Sequence, residues 1–181
     1  PWTNWSWDDF KFPDAVGHVR HYTAGSAQPY DTNPQAVPQH PLTVVSGHGA
    51  GGWYPFMALD GRMHGPDYRR ILVRDCAGPF RVYHAHVQYC KGKAEIEIAG
   101  SRNVAIYGIK NEIESIVLWA RDSAEILVTG FGGVGRRNPT AKFLIENCRD
   151  TTLACLIDDA FGGPQPKNDA HLPHVRKTAP D

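Results

Sequence analysis

Helix signals are almost absent from this chain, and Gly 18 and Pro 14 in 181 residues suit a backbone with many corners. No apolar run approaches the length of a bilayer crossing, so no membrane span is expected. Charge of one sign is not in excess: Lys+Arg 19 stand against Asp+Glu 19. That balance argues against a nucleic-acid partner, which normally leaves a basic stripe. The four cysteines, Cys76, Cys90, Cys148 and Cys155, show no Cys-x-x-Cys spacing. Their number does not by itself establish an oxidising compartment. The glycine-rich Ser46-Gly-His-Gly-Ala-Gly-Gly52 fits neither a phosphate-binding loop nor a dinucleotide fingerprint, and no helix pattern follows it. The length allows one domain of ordinary size.

What is present is a repeat. Asn103-Val-Ala-Ile-Tyr-Gly-Ile109, Glu125-Ile-Leu-Val-Thr-Gly-Phe131 and Asp150-Thr-Thr-Leu-Ala-Cys-Leu156 superpose with Gly108 over Gly130 and Cys155 beneath them. Each follows a shorter apolar run: Glu95–Ile98, Val117–Ala120 and Phe143–Glu146. A small polar corner separates the two runs: Gly100-Ser-Arg102, Asp122-Ser-Ala124 and Asn147-Cys-Arg149. Strand, corner, strand and loop at a period of about 20–25 residues is the signature of a β-solenoid. One such unit cannot bury its apolar face alone, whereas a stack of them can. An antiparallel sandwich also explains the alternation but not the repeat.

Side chains alternate along a strand. Val104, Ile106 and Gly108 are therefore expected on one face, as are Ile126, Val128 and Gly130, then Thr151, Leu153 and Cys155. Val104 should lie beside Ile126 and Ile106 beside Val128. Ile96 and Ile98 should point inward and Glu95 and Glu97 outward, because an unpartnered buried carboxylate is costly. Earlier rungs begin at Pro41–Val45 and Arg70–Val73, and the shared Arg74-Asp75 and Arg121-Asp122 pairs should build the same corner twice. Cys76 and Cys148 occupy similar corners about three coils apart, too far for a disulfide at about 4.8 Å per coil. Residues 1–40 are expected as an irregular aromatic arm, 41–159 as a solenoid of about five short coils, and 160–181 as an irregular tail.

Ser101-Arg-Asn-Val-Ala-Ile-Tyr-Gly-Ile-Lys-Asn-Glu112, Val117–Ser123 and His40–Tyr54 resemble coils of bacterial right-handed parallel β-helix proteins of the pectate-lyase superfamily. The resemblance covers roughly residues 40–160 and is closest to a C-terminal portion. It implies a right-handed parallel β-helix, a secreted or cell-envelope location and a polysaccharide partner. Its motifs specify the coil and carry over no catalytic signature.

A polysaccharide lyase needs a base beside the uronate and a cation for its carboxylate. A hydrolase needs two carboxyl groups about 5–5.5 Å or 6.5–9.5 Å apart. The densest mixture of such groups is Asp60-Gly-Arg-Met-His-Gly-Pro-Asp-Tyr-Arg-Arg70, on a loop between rungs. His64, Asp67 and His84 are the candidate catalytic residues, with Arg62 and Arg69 as carboxylate clamps. Tyr83, His86, Tyr107 and Trp119 are candidate glycan contacts. His84 and His86 resemble half a metal site, but they lack a clear carboxylate or cysteine partner, so no metal or cofactor is assigned. Trp2, Trp5 and Trp7 suit either sugar rings or cover for apolar core. The expected function is binding, with cleavage, of an extended polysaccharide. The alternative is a non-catalytic module for adhesion or assembly. Open solenoid ends are expected to meet further residues of a longer chain or another subunit.

Overall fold

The structure is a computed structural model that describes residues 10–11, 17–21, 41, 43–48, 51–53, 56–58, 65–88, 90, 92–112, 115–133, 141–158 and 175–178. The described residues are all strand and connection, with no helix. In chain order the strands are β1 (Phe10–Lys11), β2 (Gly17–His21), β3 (Thr43–Gly47), β4 (Gly51–Trp53), β5 (Phe56–Ala58), β6 (Ile71–Cys76) and β7 (Phe80–Val87). They continue as β8 (Ile96–Ala99), β9 (Arg102–Asn111), β10 (Leu118–Arg121), β11 (Ala124–Gly133), β12 (Phe143–Glu146), β13 (Arg149–Asp158) and β14 (Val175–Thr178).

The short runs stack in one sheet in the order β1-β2-β3-β6-β8-β10-β12-β14, called sheet A here. The longer runs stack in sheet B as β13-β11-β9-β7-β4, with β5 also on β7. Every pairing from β3 onward is parallel, giving a β-solenoid of about four turns. Register follows the sequence repeat: Val104 pairs with Ile126 and Ile106 with Val128, then Thr151 and Leu153 one coil on. In sheet A the inward ladder runs Ile71, Ile96, Leu118, Phe143. Each aliphatic side chain sealed in such a ladder contributes about 1.5–3 kcal/mol. Phe131 of sheet B meets Phe143 of sheet A edge-on, with centroids 5.2 Å apart, and closes the core between the sheets.

Corners are set by residues in the left-handed region. Gly47, Asp75, Gly100, Asp122 and Asn147 hold φ between 48° and 82° at successive turns. The small residues after four of these turns form a second ladder inside the corner. The Cys76 amide donates to Ser101 Oγ at 3.1 Å, and the Ser101 amide to Ser123 Oγ at 3.0 Å. Cys148 continues that line one coil further, so Cys76 and Cys148 stand three coils apart with free thiols.

The expected alternation breaks at left-handed residues: near the strand starts at Asn103, Glu125 and Asp150, with φ of 57°, 55° and 51°, and again in a mid-strand column. His84, Gly108, Gly130 and Cys155 stack with φ of 64°, 76°, 75° and 54°. A left-handed residue reverses the alternation, so Ala85, Ile109 and Phe131 turn inward just after it. Gly108 and Gly130 therefore end the inward face rather than extend it.

Three expectations are corrected. Glu97 faces outward beside Trp119 as expected, but it and Glu95 are only 5% and 0% exposed, not in solvent. The premise that a buried carboxylate needs a partner holds, and the loops supply one. Glu97 accepts from Arg69 Nε at 2.7 Å and Arg121 Nε at 2.9 Å. Glu95 accepts from the Cys90 amide at 2.9 Å and Ser115 Oγ at 3.0 Å, with Arg70 Nε 3.6 Å away. Next, β1 and β2 lie within the arm expected to be irregular, and β2 pairs antiparallel with β3. Finally, Val175–Thr178 in the expected irregular tail adds to β12 as a parallel strand. Trp2, Trp5 and Trp7 lie outside the described residues.

Candidate functional site

Sheet B presents an outward side with two stacked aromatic rings. Tyr83 on β7 and Tyr107 on β9 are register partners; their centroids are 5.0 Å apart and their planes 10° from parallel. The column continues as Thr129 and Ala154, so bulk falls away along the stack. Beside it runs the left-handed column, where His84 is exposed and Gly108 and Gly130 carry no side chain. The result is a pair of rings next to a column in which two successive positions carry no side chain. Below the rings Arg81 is fixed in place: it donates to the Asn103 carbonyl at 2.6 Å and to the Asn103 side chain.

One step further along the strands lies a polar group. His86 pairs in register with Lys110. The Gln88 amide nitrogen lies 2.9 Å from His86 Nε2, so with that orientation the imidazole nitrogen is the acceptor. Partial burial, and then the Lys110 charge, hold the His86 pKa below the ordinary histidine value. Both point to a neutral ring whose Nε2 lone pair is already engaged. Lys110 Nζ pairs with Glu112 Oε1 at 2.8 Å, and that hydrogen bond keeps the Glu112 carboxyl below the usual carboxylate range. Chemically this offers donors, acceptors and two aromatic faces. Glu112 is ionised and paired rather than poised as an acid, and Glu125 and Asp150 are exposed at the opposite ends of their strands.

The structure divides the sequence candidates between the two sheets. Tyr83, His84, His86 and Tyr107 share the outer side of sheet B. Trp119 belongs to sheet A, and Arg69 lies in the connection just before its strand β6. Arg69 is 5% exposed and engaged by Glu97 and by the Pro66 and Tyr68 carbonyls. Trp119 points outward, but Lys93 Nζ lies 3.2 Å from its ring centroid, with Arg121 and Arg69 at 5.2 and 5.7 Å. Its indole nitrogen donates to Glu146 at 2.6 Å. Asp67 is exposed in the turn that leads to Arg69 and Arg70. Asp60, Arg62 and His64 lie outside the described residues.

Gln88 and Lys110 were not singled out in the sequence. The signal was there: aligning His84 with Gly108 sets His86 over Lys110, as the register then shows. The buried pair Arg70 and Glu95 was also missed. Both are fully buried, so their chemistry is structural: Arg70 donates to Tyr68 Oη at 2.8 Å and the Gln88 carbonyl at 2.7 Å, tying three loop segments together. At the opposite corner a shallow groove of about 730 Å³ runs past Asp75, Gly100, Asp122 and Asn147. Among the described residues no group of three or more His, Cys, Asp or Glu is arranged to hold a metal ion. Comparison of the chain with family models, with curated proteins and with solved structures gave no match.

Proposed function

We propose that this chain binds an extended polysaccharide along the outer side of sheet B, as a carbohydrate-active β-solenoid of the pectate-lyase type. The observation that supports it is the half-buried stack of Tyr83 and Tyr107 beside the Gly108–Gly130 column. Aromatic faces suit the C–H faces of sugar rings, and a repeating ligand matches a surface that repeats every coil. His84, His86 and Lys110 supply hydrogen-bond donors at the edge of the rings, where sugar hydroxyls and carboxylates are recognised. Cleavage is the further step of the same reading, with His84 and Asp67 as the groups to test and His64 as the third candidate. A base acts only when it reaches the substrate proton at hydrogen-bond range.

The test is titration against a panel of neutral and uronate polysaccharides, with ultraviolet detection of unsaturated products run alongside. Tyr107→Ala should weaken binding by about 0.5–1.5 kcal/mol, roughly two- to twelvefold, if stacking on that ring carries affinity. Unchanged binding by both Tyr83→Ala and Tyr107→Ala would remove the proposal. Product release abolished by His84→Ala, with binding retained, would place the chemistry beside the rings.

A further inference from the structure

The two sheets do not end at the same level. Strand β14 pairs with β12 and carries sheet A one strand beyond the coil formed by β12 and β13. Sheet B stops at β13, whose ten residues pair with β11 on one side only among the described residues. The step between the sheets is thus one strand high, about 4.8 Å. The core is unfinished at the same place. One coil down, Ile126, Val128 and Phe131 are 1%, 0% and 3% exposed. Their register partners Thr151, Leu153 and Leu156 are each only half-buried. A long edge whose backbone donors and acceptors have no second strand partner among the described residues, above a partly open core, is a template for strand addition.

We infer that the β13 edge accepts a single extended peptide strand, parallel to β13 and apolar where it faces Leu153 and Leu156. The shape of the ends selects this occupant over a second copy of the chain. At the β14 end sheet A protrudes beyond sheet B. At the other end sheet A also protrudes, through β2 and β1, beyond β4. Two copies placed end to end would meet sheet A first and leave sheet B apart. A lone strand fits a step one strand high. The direction follows from β11, which pairs parallel with β13 in the register Ile126–Thr151, Val128–Leu153 and Phe131–Leu156. The incoming strand repeats that pattern on the far side, with a small residue opposite Cys155 where the left-handed column continues. This inference is independent of glycan binding, because it uses the edge of sheet B rather than its outer side.

The probe is a synthetic peptide with the β11 sequence, Ala124–Gly133, labelled and titrated into the full 181-residue chain, with amide hydrogen exchange measured in parallel. Saturable binding that slows exchange along β13 is expected. Peptides N-methylated at alternate residues lose several backbone hydrogen bonds, so affinity should fall more than about tenfold. A scrambled peptide that binds equally well overturns the inference, as does binding without protection of β13. Two results from the chain alone also overturn it. One is β13 already protected in the monomer, which means another segment of the same chain occupies the edge. The other is a dimer whose formation protects β13, which makes a second copy the occupant.

Discussion

Removing the Glu95 carboxylate tests whether the polar loop corner holds the solenoid together. Glu95 is fully buried, accepts from the Cys90 amide and Ser115, and lies 3.6 Å from a fully buried Arg70. Glu95→Ala leaves the guanidinium without its buried counter-charge, which costs about 3–5 kcal/mol. For a chain of this size that lowers Tm by roughly 6–20 °C. Glu95→Gln separates charge from hydrogen bonding, since the amide oxygen still accepts from Cys90 and Ser115. Burial pushes the Glu95 carboxyl up from 4.5, offset in part by the Cys90 amide and by Arg70. For an acid raised in the fold, the native state binds the proton more tightly than the unfolded chain. Its stability contribution is therefore fully present below the unfolded value and is lost as pH rises through the folded one. Wild-type stability from this group should fall as pH climbs above about 4.5, and Glu95→Gln should flatten that slope. Denaturant titration followed by circular dichroism at several pH values reads both effects. A Glu95→Ala chain within about 1 kcal/mol of wild type would refute the reasoning, because such a loss is the size of one ordinary hydrogen bond.

Three further outcomes follow from the coil geometry. Ile106→Asp, at a position 1% exposed between Val82 and Val128, should abolish the cooperative melt, because it buries an unpaired charge within the stack. His84→Gly should stabilise the chain by about 1 kcal/mol, since His84 holds φ 64° where the next two coils carry glycine; a lower Tm would show that the imidazole makes contacts worth more than the strain. Maleimide should modify Cys155 in the native chain and spare Cys76, Cys90 and Cys148 until denaturant is added. All three are buried, and burial pushes the Cys90 thiol up to about 12; fast native labelling of more than one thiol counts against the corner ladder.

The repeat was legible because strand periodicity and glycine placement are local. Val104, Ile126 and Thr151 could be matched by eye, and the register follows that match. The left-handed column was legible only in part. Gly108 over Gly130 stood out, but His84 and Cys155 occupy the same backbone state without glycine, and that state reverses the face of everything after it. Short strands such as β14 were not legible. Four residues carry no period of their own, and Val175–Thr178 becomes a strand because the β12 edge is already in place. Glu95 and Glu97 misled for a related reason. Alternation says which side of a strand a residue faces, but not whether a loop folds back over that side.

That distinction also separates the two outer surfaces. The outer side of sheet A carries Glu97 and Trp119, and the loops cover it. Ala94 and Ile116 pack there with Leu144, while Arg69, Lys93 and Arg121 surround the indole. Its carboxylates and cations neutralise one another, and its aromatic face is occupied. On the outer side of sheet B Tyr83 and Tyr107 stack on each other, and two glycines follow one another in the column beside them. A ligand gains most where desolvation is cheap and partners are unspent. By that criterion Trp119, the most prominent aromatic of the repeat in the sequence, belongs to the scaffold, and Tyr107 is the ring on which the proposed glycan binding is tested. The two can be told apart by measurement. Trp119→Ala should lower Tm and leave glycan affinity unchanged, while Tyr107→Ala should do the reverse. The opposite pairing would move the site to sheet A.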